Sequence, residues 1–299
     1  MPVELILQAQ AKDLGGGLRI KRLLPADRRQ AVGPFVFMDH FGPVQVEPDS
    51  QHDVRPHPHI GLATLTYLFE GAMMHRDSLG VTQRIEPGAI NWMTAGRGIV
   101  HSERQPEDLR GQRYVNHGMQ LWLALPRSHE DCEPGFAHTP AAQIPSLELP
   151  GVMVRVLVGE AFGLHSPVAT FSPTLYLDLT LQAGASLRLP ALAEEMAVYT
   201  VSGALSLDGA PLPEHELAVL GADTLLHSPQ ASRCVVVGGA ALDGGRYLWW
   251  NFVASRRQRL VQAAQDWREM RFGQVPGETE SIPLPERAFP PAQAEGDKP

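Results

Sequence analysis

Short runs rich in Val, Ile, Leu and Thr recur along the whole chain, and most of them are stopped by Gly or Pro. The 28 glycines and 26 prolines are scattered, not clustered, so they act as punctuation between many short strands. An all-β fold is the expectation. Strand candidates in the first half are Phe35 to Met38, Ala63 to Phe69, Gly80 to Ile85, Ala89 to Met93, His117 to Ala124 and Val152 to Val158. From about Pro173 the pattern resumes with Thr174 to Leu181, Ser186 to Leu189, Glu195 to Thr200, Ala204 to Leu207, Glu216 to Leu220 and Arg233 to Gly238. A length of 299 residues exceeds one ordinary hydrophobic core, which favours two domains. Tyr67 and Gly71 bracket a strand end in the first half as Tyr199 and Gly203 do in the second, 132 residues later, so an internal duplication is expected.

One strong helix is expected near the end. There Ser255 is placed to cap, and Leu260, Val261, Ala264, Trp267 and Arg271 recur at helical spacing behind it. Beyond Val275 the chain carries six prolines and few large apolar residues, the composition of a surface-running extension to which no chemistry is assigned.

Bulk composition narrows the function. Hydrophobic residues make up 43% and charged residues 19%, the profile of a chain able to bury a core. A net charge of −8, with no basic run longer than Arg256-Arg257, argues against nucleic acid or an anionic membrane as the main partner. No start-of-chain signal pattern and no apolar stretch of about 18 residues occur, which points to a cytoplasmic protein outside the membrane. With two cysteines far apart, Cys132 and Cys234, any metal must be held by His and carboxylates.

Such groups stand in two pairs. Side chains alternate faces along a strand, so His57-Pro58-His59 aims two imidazoles the same way, and His101-Ser102-Glu103 does the same with an imidazole and a carboxylate. The 41 residues between the pairs suffice for three or four strands that return the chain beside its start. His57, His59, His101 and Glu103 are therefore the candidate ligands of one mononuclear site. This donor set suits iron, copper, nickel, manganese or zinc and leaves positions for water, substrate or dioxygen. Gly96 and Gly98 permit the bend that seats the second pair. Surface decoration by unrelated histidines is the competing reading of each pair taken alone, since the chain has twelve.

The segment His57-Pro-His-Ile-Gly through Tyr67-Leu-Phe-Glu-Gly71, followed by Asn91-Trp-Met-Thr-Ala-Gly-Arg-Gly-Ile-Val-His-Ser-Glu103, resembles the pirin family of the cupin superfamily. Phe35-Val-Phe-Met-Asp-His-Phe-Gly-Pro43 and Gln120-Leu-Trp-Leu-Ala-Leu-Pro126 extend the resemblance, and the Tyr199 to Gly203 turn with Asn251-Phe-Val carries it loosely into the second half. It implies a bicupin: an N-terminal metal-binding barrel over residues 1–140, a metal-free barrel with a closing helix over 141–275, and a polar Pro-rich tail over 276–299. The implied cofactor is one divalent metal, iron first, with Ni, Cu, Mn and Zn as alternatives. The 132-residue offset puts Leu189 and Ala191 where the first barrel has its His pair, and His227 echoes Val100-His-Ser without a partner. General cupins carry a Glu about four residues after the His pair, where Ala63 and Thr64 stand here, so Glu103 is expected to supply the carboxylate. Ile60 and Ala63 replace residues usually charged in pirins, which is expected to alter the pocket wall.

Two functions are implied. Some members resemble quercetin 2,3-dioxygenases, which open a flavonol with dioxygen and release carbon monoxide, with Glu103 as the catalytic base. Others resemble regulatory proteins, cofactors of transcription factors or modulators of a metabolic enzyme, whose protein partner would be read through the metal's oxidation state. Trp92 and Gln120 are expected as pocket residues. Asp39, His40, His75 and His117 are expected in core or surface roles.

Overall fold

The computed structural model describes residues 3–13, 19–49 and 53–286. Two barrels follow each other, each built from a seven-stranded and a four-stranded antiparallel sheet. In the first barrel the large sheet runs Gly135–Thr139, Ile90–Thr94, Leu62–Glu70, Tyr114–Ala124, Phe35–Val46, Arg19–Leu24, Gln10–Asp13, and the small one runs Val54–His59, Ile99–Arg104, Met73–Asp77, Thr82–Ile85. In the second barrel the large sheet runs Val3–Gln8, Glu216–Leu220, Glu195–Ser202, Ser232–Gly239, Thr174–Leu181, Val152–Val158, Ser146–Leu149. Its small sheet runs Ser186–Leu189, Thr224–His227, Leu205–Leu207, Ala210–Leu212. The two plans match strand for strand except at one edge of each large sheet. There Val3–Gln8, from the start of the chain, pairs with Glu216–Leu220 in the second barrel. The chain passes from one large sheet to the other between Thr139 and Ser146.

The large sheets meet face to face, which explains strands that are apolar on both sides. Leu65, Tyr67 and Phe69 of the first barrel share a core with Ala197, Tyr199 and Val201 of the second, while the alternate residues Met196 and Val198 fill the second barrel's interior. Polar groups in this joint are paired. Tyr67 Oη donates to Asp178 Oδ2 at 2.7 Å, and Arg233 holds the same carboxylate with two bonds. His40 Nδ1 meets Tyr199 Oη at 2.7 Å and His40 Nε2 meets His117 Nε2 at 2.8 Å.

The helix spans Arg257–Arg268 and buries Leu260, Ala263, Ala264 and Trp267 against Ile60, Val100 and Phe252. Ser255 does not cap it. Its hydroxyl and amide both bond the Glu130 carboxylate, at 2.6 and 2.7 Å, and Arg256 occupies the capping position without a side-chain bond to the helix's own amides. Val261 is exposed, because the core-facing stripe runs one residue out of phase with it, and Arg271 lies past the helix end. The start of the extension, up to Glu286, runs against the small sheet of the first barrel, where the Ile282 amide donates to Pro56 O at 2.8 Å. The rest of the Pro-rich tail, 287–299, lies outside the described residues.

Candidate metal centre

His57 and His59 point inward from Val54–His59 because one residue, Pro58, separates them, and His101 faces them from Ile99–Arg104. The two strands are antiparallel neighbours with His101 directly opposite His57. One nitrogen from each of the three imidazoles lies within 4.8 Å of the others, and the rings are 4.4 to 5.1 Å apart. All three side chains are buried.

Their Nδ1 atoms are committed elsewhere. His57 Nδ1 bonds Arg55 O at 2.9 Å, His59 Nδ1 bonds Asn251 O at 3.0 Å, and His101 Nδ1 contacts His75 Nδ1 at 3.4 Å. Carbonyls at Nδ1 require the proton there, so Nε2 of His57 and His59 carries the free lone pair. His101 Nε2 is buried with no partner. Burial holds all three rings neutral, with His57 lowered to about 4 and His59 and His101 well below the ordinary imidazole value. Converging, neutral, unsatisfied imidazole nitrogens are a donor set that fits a divalent metal. His75 is part of the support, not a bystander: its Nε2 bonds Asp77 Oδ2 at 2.9 Å, and Asp77 Oδ1 accepts from the amides of Leu79 and Val81.

Glu103 is placed two residues beyond His101 on the same wall, outside the close three-imidazole group. Half-buried, and with no hydrogen bond to its carboxylate among the described residues, it is raised by burial to about 7. The imidazoles and Glu103 line a cavity of about 460 Å³. Aromatic rings line it too, with Phe37 and Trp122 stacked 3.9 Å apart and Trp122 edge-on to His59 at 5.0 Å, and Arg22 lies over Phe37 while bonding Asp39 through two of its guanidinium nitrogens. Gln120 lines the cavity too, held by the Thr66 hydroxyl at 2.8 Å.

Several expected roles shift. Trp92 is in the core between the barrels, bonding Thr94, because its strand turns that face toward the second barrel; Trp122, not singled out for the pocket, is the indole beside the cavity. Asp39 lines the cavity, whereas His40 and His117 face the joint. Ile60 packs under the helix and Ala63 in the inter-barrel core, so neither forms the pocket wall. Leu248, Trp250 and Asn251 reach the cavity from the closing segment of the chain. Only Asn251 carried a signal in the sequence, through the Asn251-Phe-Val motif.

The family model described as Pirin matches residues 17–123, and the one described as Pirin C-terminal cupin domain matches 176–273. The chain belongs to the pirin family. A pirin-like protein of Caulobacter vibrioides is 43% identical over 95% of this chain and 100% of its own length. Human pirin is 33% identical over 91% of this chain and 93% of its own length. The solved structure of a quercetin 2,3-dioxygenase from Acinetobacter baumannii is 34% identical and superposes with a TM-score of 0.89, covering 97% of this chain and 96% of that one. The two barrels are thus the paired cupin domains of a pirin, and no helix among the described residues is long and apolar enough to cross a membrane.

Proposed function

We propose that this pirin-family protein is a metal-dependent dioxygenase that cleaves a flavonol such as quercetin across its 2,3 bond with O2 and releases carbon monoxide. The observation that carries the reading is the cavity itself, in which unsatisfied imidazole nitrogens and a carboxylate share the lining with aromatic rings. Its volume of about 460 Å³ falls in the range of small-molecule sites. The likeness to the Acinetobacter quercetin 2,3-dioxygenase supports the same reading.

His57, His59 and His101 hold the metal, iron first, and Glu103 completes the set. When bound, the metal supplies a Lewis acid for the flavonol 3-hydroxyl and a place for dioxygen. The chain does the rest. Glu103, the carboxylate on the wall where that hydroxyl arrives, accepts the 3-hydroxyl proton. Phe37, Phe41, Trp122 and Trp250 line the cavity with apolar surface for the flavonol rings, and Gln120 and Asp39 present polar atoms for its other hydroxyls. Burial of the site keeps bulk water from the ionised substrate.

The test is aerobic incubation of the iron-loaded protein with quercetin, following flavonol absorbance and carbon monoxide together. Metal-dependent loss with matching carbon monoxide is expected, and His101→Ala abolishes both. Flavonol loss equal in the two proteins sinks the assignment and leaves metal-dependent partner binding as the reading to pursue.

A further inference from the structure

We infer that Glu278, in the extension past the helix, is a positioning residue for the metal centre. It lies beyond residue 273, where the family match ends, and outside the cavity. Its side chain grips the outer face of the ligand strands whose inner face carries the histidines. Ser102 stands between His101 and Glu103, so strand alternation turns its side chain outward, where its buried hydroxyl donates to Glu278 Oε1 at 2.5 Å. Arg104, the next outward residue, bonds both Glu278 oxygens through its guanidinium. Both partners are nearly sealed from water, with side-chain exposures of 11% for Arg104 and 5% for Glu278.

The same extension reaches the partner strand. The Ile282 amide donates to Pro56 O at 2.8 Å, next to His57, and Ile282 O accepts from Trp267 Nε1 at 3.1 Å. Arg104 also pairs with Asp53 Oδ2 at 3.5 Å, and Asp53 Oδ1 accepts the Gln105 amide at 2.6 Å, which joins the end of the His101 strand to the start of the His57 strand. Residues 56, 102 and 104 are all outward positions on the two ligand strands. Among the described residues, Glu278 is the group that engages two of them by buried, charge-assisted bonds. Such bonds hold strand pitch more firmly than neutral ones. Fixing Ser102 and Arg104 fixes the pitch at which His101 and Glu103 enter the cavity. A small tilt there moves a ligand nitrogen off its place, as loss of supporting partners does in other metal sites.

This holds whichever substrate the cavity takes, and its readout is the metal itself. The full-length protein is loaded with Co(II), and release to excess chelator is timed alongside the visible spectrum of the bound ion. Glu278→Ala is expected to speed release by about 10-fold or more and to shift the spectrum, in the range seen when outer partners of a metal site are lost. Glu278→Gln, which keeps an acceptor for Ser102 but not the charge facing Arg104, falls between. Glu280→Ala is the control: Glu280 also pairs with Arg104, yet is half-exposed and does not touch Ser102, so release stays within about twofold of wild type. Melting with and without Co(II) separates positioning from mere anchoring, because a positioning role shrinks the stabilisation that the ion confers. Wild-type release and an unchanged spectrum in Glu278→Ala, with equal losses of melting temperature in both states, overturn the proposal. If that variant does not fold, wild-type release in Glu278→Gln overturns it.

Discussion

The two barrels share a sheet plan and differ in what lines it. In the first, the small sheet turns His57, His59 and His101 inward around a cavity; in the second, the matching strands turn leucines inward and leave a filled core. Strand pairing makes the correspondence exact to the residue. His57 stands opposite His101, and Leu187 stands opposite Leu226; each sits two residues before its strand's end, at His59 and Leu189. The same architecture therefore tolerates either a set of neutral imidazoles or a set of apolar side chains at its centre. Barrel formation rests on the strands and on the core between the large sheets, and leaves the inward positions of the small sheet free to differ.

The sharpest way to break this comparison is to remove one member on each side. His101→Ala should take bound metal from about one ion per chain to near none and lower any metal-dependent turnover by more than about 100-fold, beyond the range of outer-partner losses. Metal analysis of the dialysed protein reads it, and near-normal metal content would show that His101 is no ligand. Leu226→Ala, at the matching position, should leave metal content untouched and cost about 2–5 kcal/mol by opening a cavity in a filled interior, read by denaturant unfolding. A loss below 1 kcal/mol would mean that the second barrel is less tightly filled than the first is polar.

How much of this was legible in the sequence follows from the range of each signal. Alternation along one strand is local, so the inward set of His57, His59, His101 and Glu103 could be read directly, and so could most strands. Where both faces of a strand are apolar, alternation no longer says which face is inside. That is why Trp92 was favoured over Trp122, although they face opposite sides of the same large sheet. Long-range pairings had no signal at all: Val3–Gln8 joins Glu216–Leu220, and His75 reaches His101 only because Met73–Asp77 lies beside Ile99–Arg104. The constant 132-residue offset pointed to Leu189 and Ala191, but loop lengths differ between the halves, and register gives Leu187 and Leu189. His227 is one residue from Leu226 and so faces the other way, bonding Ser186 at the surface at 3.0 Å.

A gentler change sharpens the comparison from outside the ligand set. Asp77 is buried and holds His75 against His101, while the corresponding strand of the second barrel, Leu205–Leu207, carries no carboxylate. Asp77→Asn keeps the shape and removes the charge, so metal affinity should fall by about 10- to 100-fold with little change in the metal-free protein's stability. Competition with a chelator of known affinity measures it. An unchanged affinity would reduce His75 and Asp77 to packing.

The smallest effect concerns the joint where the barrels meet. His117 is lowered to about 4, first by burial and then by Arg233, Lys21 and His215 nearby, and His40, which it contacts, is lowered to about 2, mainly by burial. Both are neutral in the folded protein at neutral pH. In the unfolded chain they take up protons near the ordinary value of 6.5, so below that pH the unfolded state binds more protons and folding weakens. Stability from His117 is thus complete above about 6.5 and is lost as pH falls toward about 4. Glu214 is an acidic neighbour of His215, which tempers the effect without reversing it. In His117→Gln the melting temperature between pH 6.5 and 4.5 should fall less steeply than in wild type, because one of the groups that must stay neutral is gone. Metal-free protein should be used, so that protonation of His57, His59 and His101 enters both variants alike. Equal slopes would mean that the acid sensitivity of the chain resides elsewhere than in His117.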